Sequence, residues 1–209
     1  MDNLAYFGQT LWPPAKAPVY WIVELTSVEK GYAYLEIGRW HMNNGFFRAA
    51  IGDLERAREL EPRRANLADY YLGICYDASG SPDLAVEVYE RLLAREPQNT
   101  GALNNYARSL QKLGLTSSAL AAFRKSLEID PTKVSTLIGM GQLYLDIGER
   151  DEAVKCWEQA VGIEPGNIGL RRRLVEIYWE SSESEKALEH LRQLERLQPD
   201  DEAVRRAIE

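Results

Sequence analysis

Residues 134–167 read VSTLIGMGQLYLDIGERDEAVKCWEQAVGIEPGN, and two helices can be read in them. Leu137, Met140, Tyr144 and Ile147 recur at three-and-four spacing, which predicts a helix over Thr136–Ile147. Gly148 ends it, because glycine takes the left-handed conformation of a helix C-terminus without a Cβ penalty. A second helix is predicted over Asp151–Ile163, with Ala153, Val154, Trp157, Ala160 and Val161 on one face. Pro165 closes it, since the residue before proline is pushed out of the helical region and proline has no N–H to give. Gly141 on the first helix faces Ala153 on the second, and two backbones can approach closely there only without bulky side chains.

The same pattern extends along the chain in both directions. Pro62, Pro97, Pro131, Pro165 and Pro199 stand 35, 34, 34 and 34 residues apart. Seventeen residues before them stand Gly45, Gly80, Gly114, Gly148 and then Ser182. Twelve before them stand Ala50, Ala85, Ala119, Ala153 and Ala187, and eight before them Leu54, Tyr89, Phe123, Trp157 and Leu191. The small residues Gly38, Gly73, Ala107 and Gly141 keep the same register. A period of this length is that of stacked helix hairpins, each burying its apolar face on its neighbours.

With these residues in place the chain resembles the tetratricopeptide repeat family. The fourth unit matches its pattern best, through Leu137, Met140-Gly141, Tyr144, Ala153, Trp157 and Pro165; the second follows with Leu72-Gly73, Tyr76, Ala85, Tyr89 and Pro97. Asp69 and Arg171 depart from it at the first pattern position, and Val175 stands where glycine is usual. The resemblance implies an all-α, right-handed superhelical solenoid of tandem helix-turn-helix repeats with a concave groove lined by the first helix of each unit. The expected organisation is a leader over 1–25, five units within 26–201 (about 31–64, 66–99, 100–133, 134–167 and 168–201), and a partial sixth helix over 202–209.

Composition excludes several other classes. The 209 residues are 45% hydrophobic and 27% charged, which fits a folded chain. No run reaches the roughly 20 apolar residues of a spanning helix, and Met1-Asp2-Asn3 carries no positive leader, so a cytoplasmic location is expected. A formal charge of −7 speaks against neutralising many nucleic-acid phosphates. Two cysteines and two histidines give no zinc-site spacing, and no cofactor or metal is expected.

No catalytic constellation emerges either. His41 stands at a helix-packing position and His190 lies beside Ala187 and Leu191 without a carboxylate partner in view. Cys75 and Cys156 are expected as small buried hydrophobes. Glu55, Glu59 and Glu158 are expected on a solvated outer face. A non-enzymatic protein is the expectation.

The resemblance implies a groove made by fixed positions of each unit. In the first two units these supply Leu35, Arg39, Tyr70, Tyr71 and Ile74; the third supplies Asn104, Asn105 and Arg108. The fourth supplies Gln142, and the fifth Arg172, Arg173 and Trp179. Asparagine can clasp a peptide backbone with a donor and an acceptor, and arginine grips a carboxylate with two donors. The Lys/Asn/Arg clamp by which heat-shock chaperone adaptors of this family hold a C-terminal tail is absent in every frame, so that ligand is not expected. The expected function is a scaffold binding an extended peptide or partner protein in the groove. Two alternatives stand beside it: a self-assembling structural scaffold of the magnetosome-associated type, with the leader of one copy in the groove of the next, and the regulatory subunit of a separate enzyme. The leader has only Lys16 as a charge between Asn3 and Val23, yet carries Tyr6, Phe7, Trp12, Tyr20 and Trp21, and so is expected to lie on a surface. Thr26 and Glu29 have the spacing of a capping box that opens the first helix.

Overall fold

A computed structural model describes residues 26–208. Among them run α1 (Ser27–Asn43), α2 (Phe47–Leu60), α3 (Ala65–Ala78), α4 (Pro82–Arg95), α5 (Thr100–Lys112) and α6 (Thr116–Ile129). They are followed by α7 (Val134–Asp146), α8 (Arg150–Ile163), α9 (Ile168–Glu180), α10 (Ser184–Leu197) and α11 (Glu202–Ile208). A 3-10 turn occupies Pro62–Arg64, and no strand occurs among the described residues. The leader read from residues 1–25 lies outside them. Two compact units divide after Cys75, inside α3.

Local chemistry sets the helix ends. At Thr26 both halves of the capping box form: the Thr26 hydroxyl accepts from the Glu29 N–H, and the Glu29 carboxylate accepts from the Thr26 N–H at 2.8 Å. Asn99 and Asn167 cap α5 and α9, each side-chain oxygen accepting an N–H three residues on, from Ala102 and Leu170. Glu61, Glu96, Asp130, Glu164 and Gln198 are the C-caps of the even-numbered helices, and each directly precedes one of the five periodic prolines. The turns that follow α1, α3, α5, α7 and α9 place Gly45, Gly80, Gly114, Gly148 and Ser182 at φ of 79°, 85°, 74°, 84° and 61°. Ser182 is the one that holds this conformation against a Cβ.

In the unit ending at Cys75, α1 lies close to α2. A Cβ on Gly31 would stand 2.6 Å from Glu61 Cβ, and one on Gly38 2.7 Å from Leu54 Cγ. Asp69, one of the departures from the repeat pattern, is buried with Arg58 Nη1 3.5 Å from its carboxylate.

In the unit beginning at Tyr76 the core repeats. Trp157 is fully buried, and its Nε1 donates to the Ile138 carbonyl at 3.2 Å. A Cβ on Gly141 would lie 2.3 Å from that nitrogen, so glycine is required by the indole and not only by the backbone crossing. Helix α7 begins at Val134, two residues before the expected start, because the Lys133 carbonyl already accepts from Thr136 and Leu137. It ends at Asp146, with Ile147 as its cap. Val175 is buried in a cluster with Leu191, Leu194 and Val204, so the volume that departs from the repeat pattern is packed.

Candidate peptide-binding face

The unit ending at Cys75 carries five of the groove candidates. Leu35 is 1% exposed and belongs to the core, which removes it from any open face. Arg39 is exposed and donates to Glu36 on the same helix at 2.6 Å. Tyr70 and Tyr71 are half-buried, their rings edge to face at 5.8 Å, and Ile74 is half-buried on the same helix.

In the other unit, the first helices of successive repeats are laced by polar side chains. Asp77 on α3 accepts from Ser109 Oγ at 3.1 Å and Lys112 Nζ at 2.6 Å, both on α5. Gln111 on α5 donates to Asp146 on α7 at 2.5 Å, and Gln142 donates to the same carboxylate at 2.8 Å. Arg173 on α9 donates to Gln142 Oε1 at 2.5 Å, while Arg172 donates to Gln198 Oε1 at 3.1 Å and to the Asp201 carboxylate. The Arg172 contact holds the Asp201 carboxyl below its ordinary value. Lys112, Gln142, Arg172 and Arg173 are therefore already engaged within the chain.

Two candidates, Asn104 and Arg108, stand differently. Asn104 is 6% exposed, and its Nδ2 donates to Asn105 Oδ1 at a long 3.4 Å. Its own Oδ1 is buried with no hydrogen-bond partner among the described residues. Arg108, one turn along α5 from Asn104, is exposed and has no ion-pair partner among the described residues. Asn105 is half-buried between them. The structure thus places a buried unused acceptor and an unpaired exposed cation four residues apart on one helix. Trp179, at 44% exposure, is the most open aromatic among the candidates.

Sequence reasoning did not select Asp77, Asp146 or Asp201. A signal for the first two exists at the repeat period: Asp77 with Lys112 and Gln111 with Asp146 are complementary pairs 35 positions apart.

The histidines correct one expectation and support another. His41 is half-buried, with Nδ1 2.7 Å from Asp53, a structural arrangement. His190 does have a carboxylate partner: its Nε2 is 2.9 Å from Glu158, which also accepts from the Tyr178 hydroxyl at 2.7 Å. Arg171 Nη1 approaches the other ring nitrogen at 3.3 Å, and its Nε donates to the Pro165 carbonyl at 2.8 Å. A guanidinium can only donate, so Nδ1 accepts and the ring proton sits on Nε2, facing Glu158. Glu158 is therefore a half-buried member of a network joining α8, α9 and α10, not an outer-face carboxylate. The His190 hydrogen bond, aided by Tyr178, lowers its carboxyl from the ordinary value against an opposing effect of burial. Both thiols are buried, and burial pushes Cys75 and Cys156 up to about 11, where the reactive thiolate is scarce at neutral pH. Among the described residues no three metal-ligating side chains gather, and no helix is long and apolar enough to cross a membrane.

The tetratricopeptide repeat family model matches residues 35–99, 76–133 and 138–202, which is well over half of the chain. The chain belongs to the tetratricopeptide repeat family, and its fold is the all-α fold of tandem helix hairpins found in that family's solenoids. It is similar to Superkiller complex protein 3 of Mus musculus, with 27% identity over 113 residues. That stretch is 54% of this chain and only 7% of the mouse protein. Among solved structures, MamA aligns with a TM-score of 0.67 at 19% identity, over 82% of this chain and 93% of MamA. Pseudomonas aeruginosa PilF aligns at 0.71 and 19%, over 82% and 78%. YrrB, described as a TPR protein with an unusual peptide-binding site, aligns at 0.59 and 22%, over 83% and 89%. At these identities the likeness is one of fold.

Proposed function

We propose that this member of a family of protein-interaction scaffolds is a non-catalytic scaffold that binds an extended segment of a partner protein on α5, at Asn104, Asn105 and Arg108. The observation that carries this reading is the Asn104 carbonyl oxygen, buried and unused beside an unpaired arginine. A buried acceptor without a donor costs about 1–3 kcal/mol. A peptide N–H recovers that once the Asn104 amide turns toward the face. Asn105 supplies a further donor and acceptor, and Arg108 selects a segment with a carboxylate close to that N–H. Gln142, Arg172, Arg173 and Trp179 extend the same reading along α7 and α9, with the arginines already held to protein partners. Arg39, Tyr70, Tyr71 and Ile74 are proposed contacts of the other unit. Chemistry on the bound segment is not part of this reading, because the two thiols and His190 are all buried.

The test is a photo-crosslinking residue at Gln142, used in the native host to identify the bound segment, followed by affinity measurement with that peptide. Asn105→Ala with Arg108→Ala is expected to weaken binding tenfold or more, since hydrogen bonds to charged groups are worth about 1.5–3 kcal/mol each. Helicity is expected to be unchanged. Undiminished affinity would remove the site from α5. If the crosslinked segment proves to be residues 1–25 of another copy, the chain is a self-assembling scaffold instead.

A further inference from the structure

Arg108, Gln142 and Glu176 occupy the same place in three successive repeats, each 34 residues from the next. They stand on the first helices of those repeats, α5, α7 and α9. Equivalent places in a stacked array fall in a row across it. Direct hydrogen bonds join the neighbouring helices beside this row, from Gln111 on α5 to Asp146 on α7 and from Arg173 on α9 to Gln142 on α7. The row therefore carries a cation at one end, an amide in the middle and a carboxylate at the other end.

Both end charges are available. Arg108 and Glu176 are exposed, and neither has an ion-pair or hydrogen-bond partner for its side chain among the described residues. The cations three and four residues before Glu176 are committed elsewhere. Arg172 holds Gln198 and Asp201, while Arg173 holds Gln142 and lies over the Trp157 ring at 5.7 Å. Glu180, one turn beyond Glu176, is taken by Arg150 at 2.7 Å. Trp179 follows Glu176 by three residues, so the two share a face of α9. Its ring is 44% exposed, and its N–H has no acceptor among the described residues. An open indole face beside an unpaired carboxylate suits a lysine or arginine side chain, which is drawn by the ring and by the charge together.

Packed helices lie about 8–10 Å apart, which sets Arg108 and Glu176 roughly 16–20 Å from each other across α7. At that separation the two charges are screened from one another in salt. Extended chain at about 3.3 Å per residue crosses the same span in five or six residues. We propose that the bound segment is dipolar: an extended stretch with an aspartate or glutamate at Arg108 and, five or six residues away, a lysine or arginine held by Glu176 and Trp179. This inference rests on the reading of α5 given above and adds to it a second anchor of opposite charge. A uniformly acidic segment is repelled at Glu176 and a uniformly basic one at Arg108, so the row selects by the placement of charges and not by their sum.

The test is selection from a displayed library of random peptides with the full chain, followed by affinity measurement on a selected sequence. Selected peptides are expected to carry an acidic and a basic residue five or six positions apart. Glu176→Lys is expected to weaken the selected peptide at least tenfold, and replacing that peptide's basic residue by glutamate is expected to restore most of the loss. Glu128→Lys, the same change of charge at an exposed position of α6, is expected to leave the affinity unchanged. Peptides that lose binding in Asn105→Ala with Arg108→Ala but are indifferent to Glu176→Lys would overturn this inference and leave the α5 reading standing. Peptides indifferent to both changes would overturn both. Loss in Glu176→Lys without rescue, equal loss in Glu128→Lys, or a library with no enriched sequence would each overturn the second anchor.

Discussion

Helices α1 and α7 hold the same rank in their repeats, yet they are stabilised differently. Helix α7 is covered by the hairpin before it through Thr136 and Leu143, and by its own second helix through Gly141 and Trp157. Helix α1 meets its own second helix, α2, through Gly31 and Gly38, and its Ala33, Ile37 and Trp40 are half-buried. In a stacked array each helix draws its stability from the neighbours that bury it. The difference teaches that a side chain's contribution follows its neighbours more than its own type: Ile37 and Leu143 are both large aliphatic residues on a packing face, and only Leu143 is buried.

The largest expected effect that tests this comparison lies at the covered end. Gly141→Leu forces a side chain into the Trp157 ring and breaks its bond to Ile138, at a cost of about 3 kcal/mol or more. Gln159→Ala, on the exposed face of α8, is expected to stay within about 0.5 kcal/mol. Urea midpoints of the two variants check the pair, and similar midpoints would break the assigned packing. Leu143→Ala follows, at about 2–5 kcal/mol. Ile37 is only half-buried, so Ile37→Ala is expected to cost about 1–2 kcal/mol. Equal losses in calorimetry would mean that α1 is covered as completely as α7.

A smaller effect is expected from the network on α8, α9 and α10. The folded carboxyl of Glu158 sits below its ordinary value of 4.5. Its contribution to stability is therefore present above about pH 4.5 and lost as pH falls through the lowered folded value. Glu158→Gln should destabilise the protein at pH 7 by up to about 1 kcal/mol, a figure limited by partial exposure. The gap should close as the pH falls through that lowered value. Acid titrations of both proteins by circular dichroism check this, and a constant gap would contradict the assigned bond to His190. The smallest effect is a gain. Gly52 sits within α2 with nothing near its absent side chain, so Gly52→Ala should add about 0.5–1 kcal/mol, read from the melting temperature.

Much of the fold is legible in the sequence because its determinants recur at one period. Proline after each second helix, glycine in each turn and an aromatic or leucine opposite a small residue are local signals, and they locate the hairpins to within a residue or two. The face on α5 is legible only in part. Asn104, Asn105 and Arg108 can be chosen by position, but whether a polar group is already satisfied depends on residues a whole repeat away. Asp77 and Asp146 take up Lys112 and Gln111 in this way, and Asp201 takes up Arg172. Leu35 was misplaced for a related reason. A position that faces outward in an ideal repeat is drawn into the core where α1 and α2 come together across glycines. Glu158 looked solvated because its partners, His190 and Tyr178, lie 32 and 20 positions away.

In the proposed binding mode the side-chain oxygen of Asn104 and the Arg108 guanidinium on α5 take up a partner's backbone N–H and carboxylate. The most direct measurement is a titration of the labelled protein with the crosslinked peptide, following the side-chain NMR signals of these residues. The Asn104 and Asn105 amide protons and Arg108 Nε–H are expected to shift together and saturate at one affinity. Replacing the peptide's carboxylate by an amide should abolish the Arg108 shift and weaken binding about tenfold. Saturable binding that leaves all three signals in place would contradict the claim.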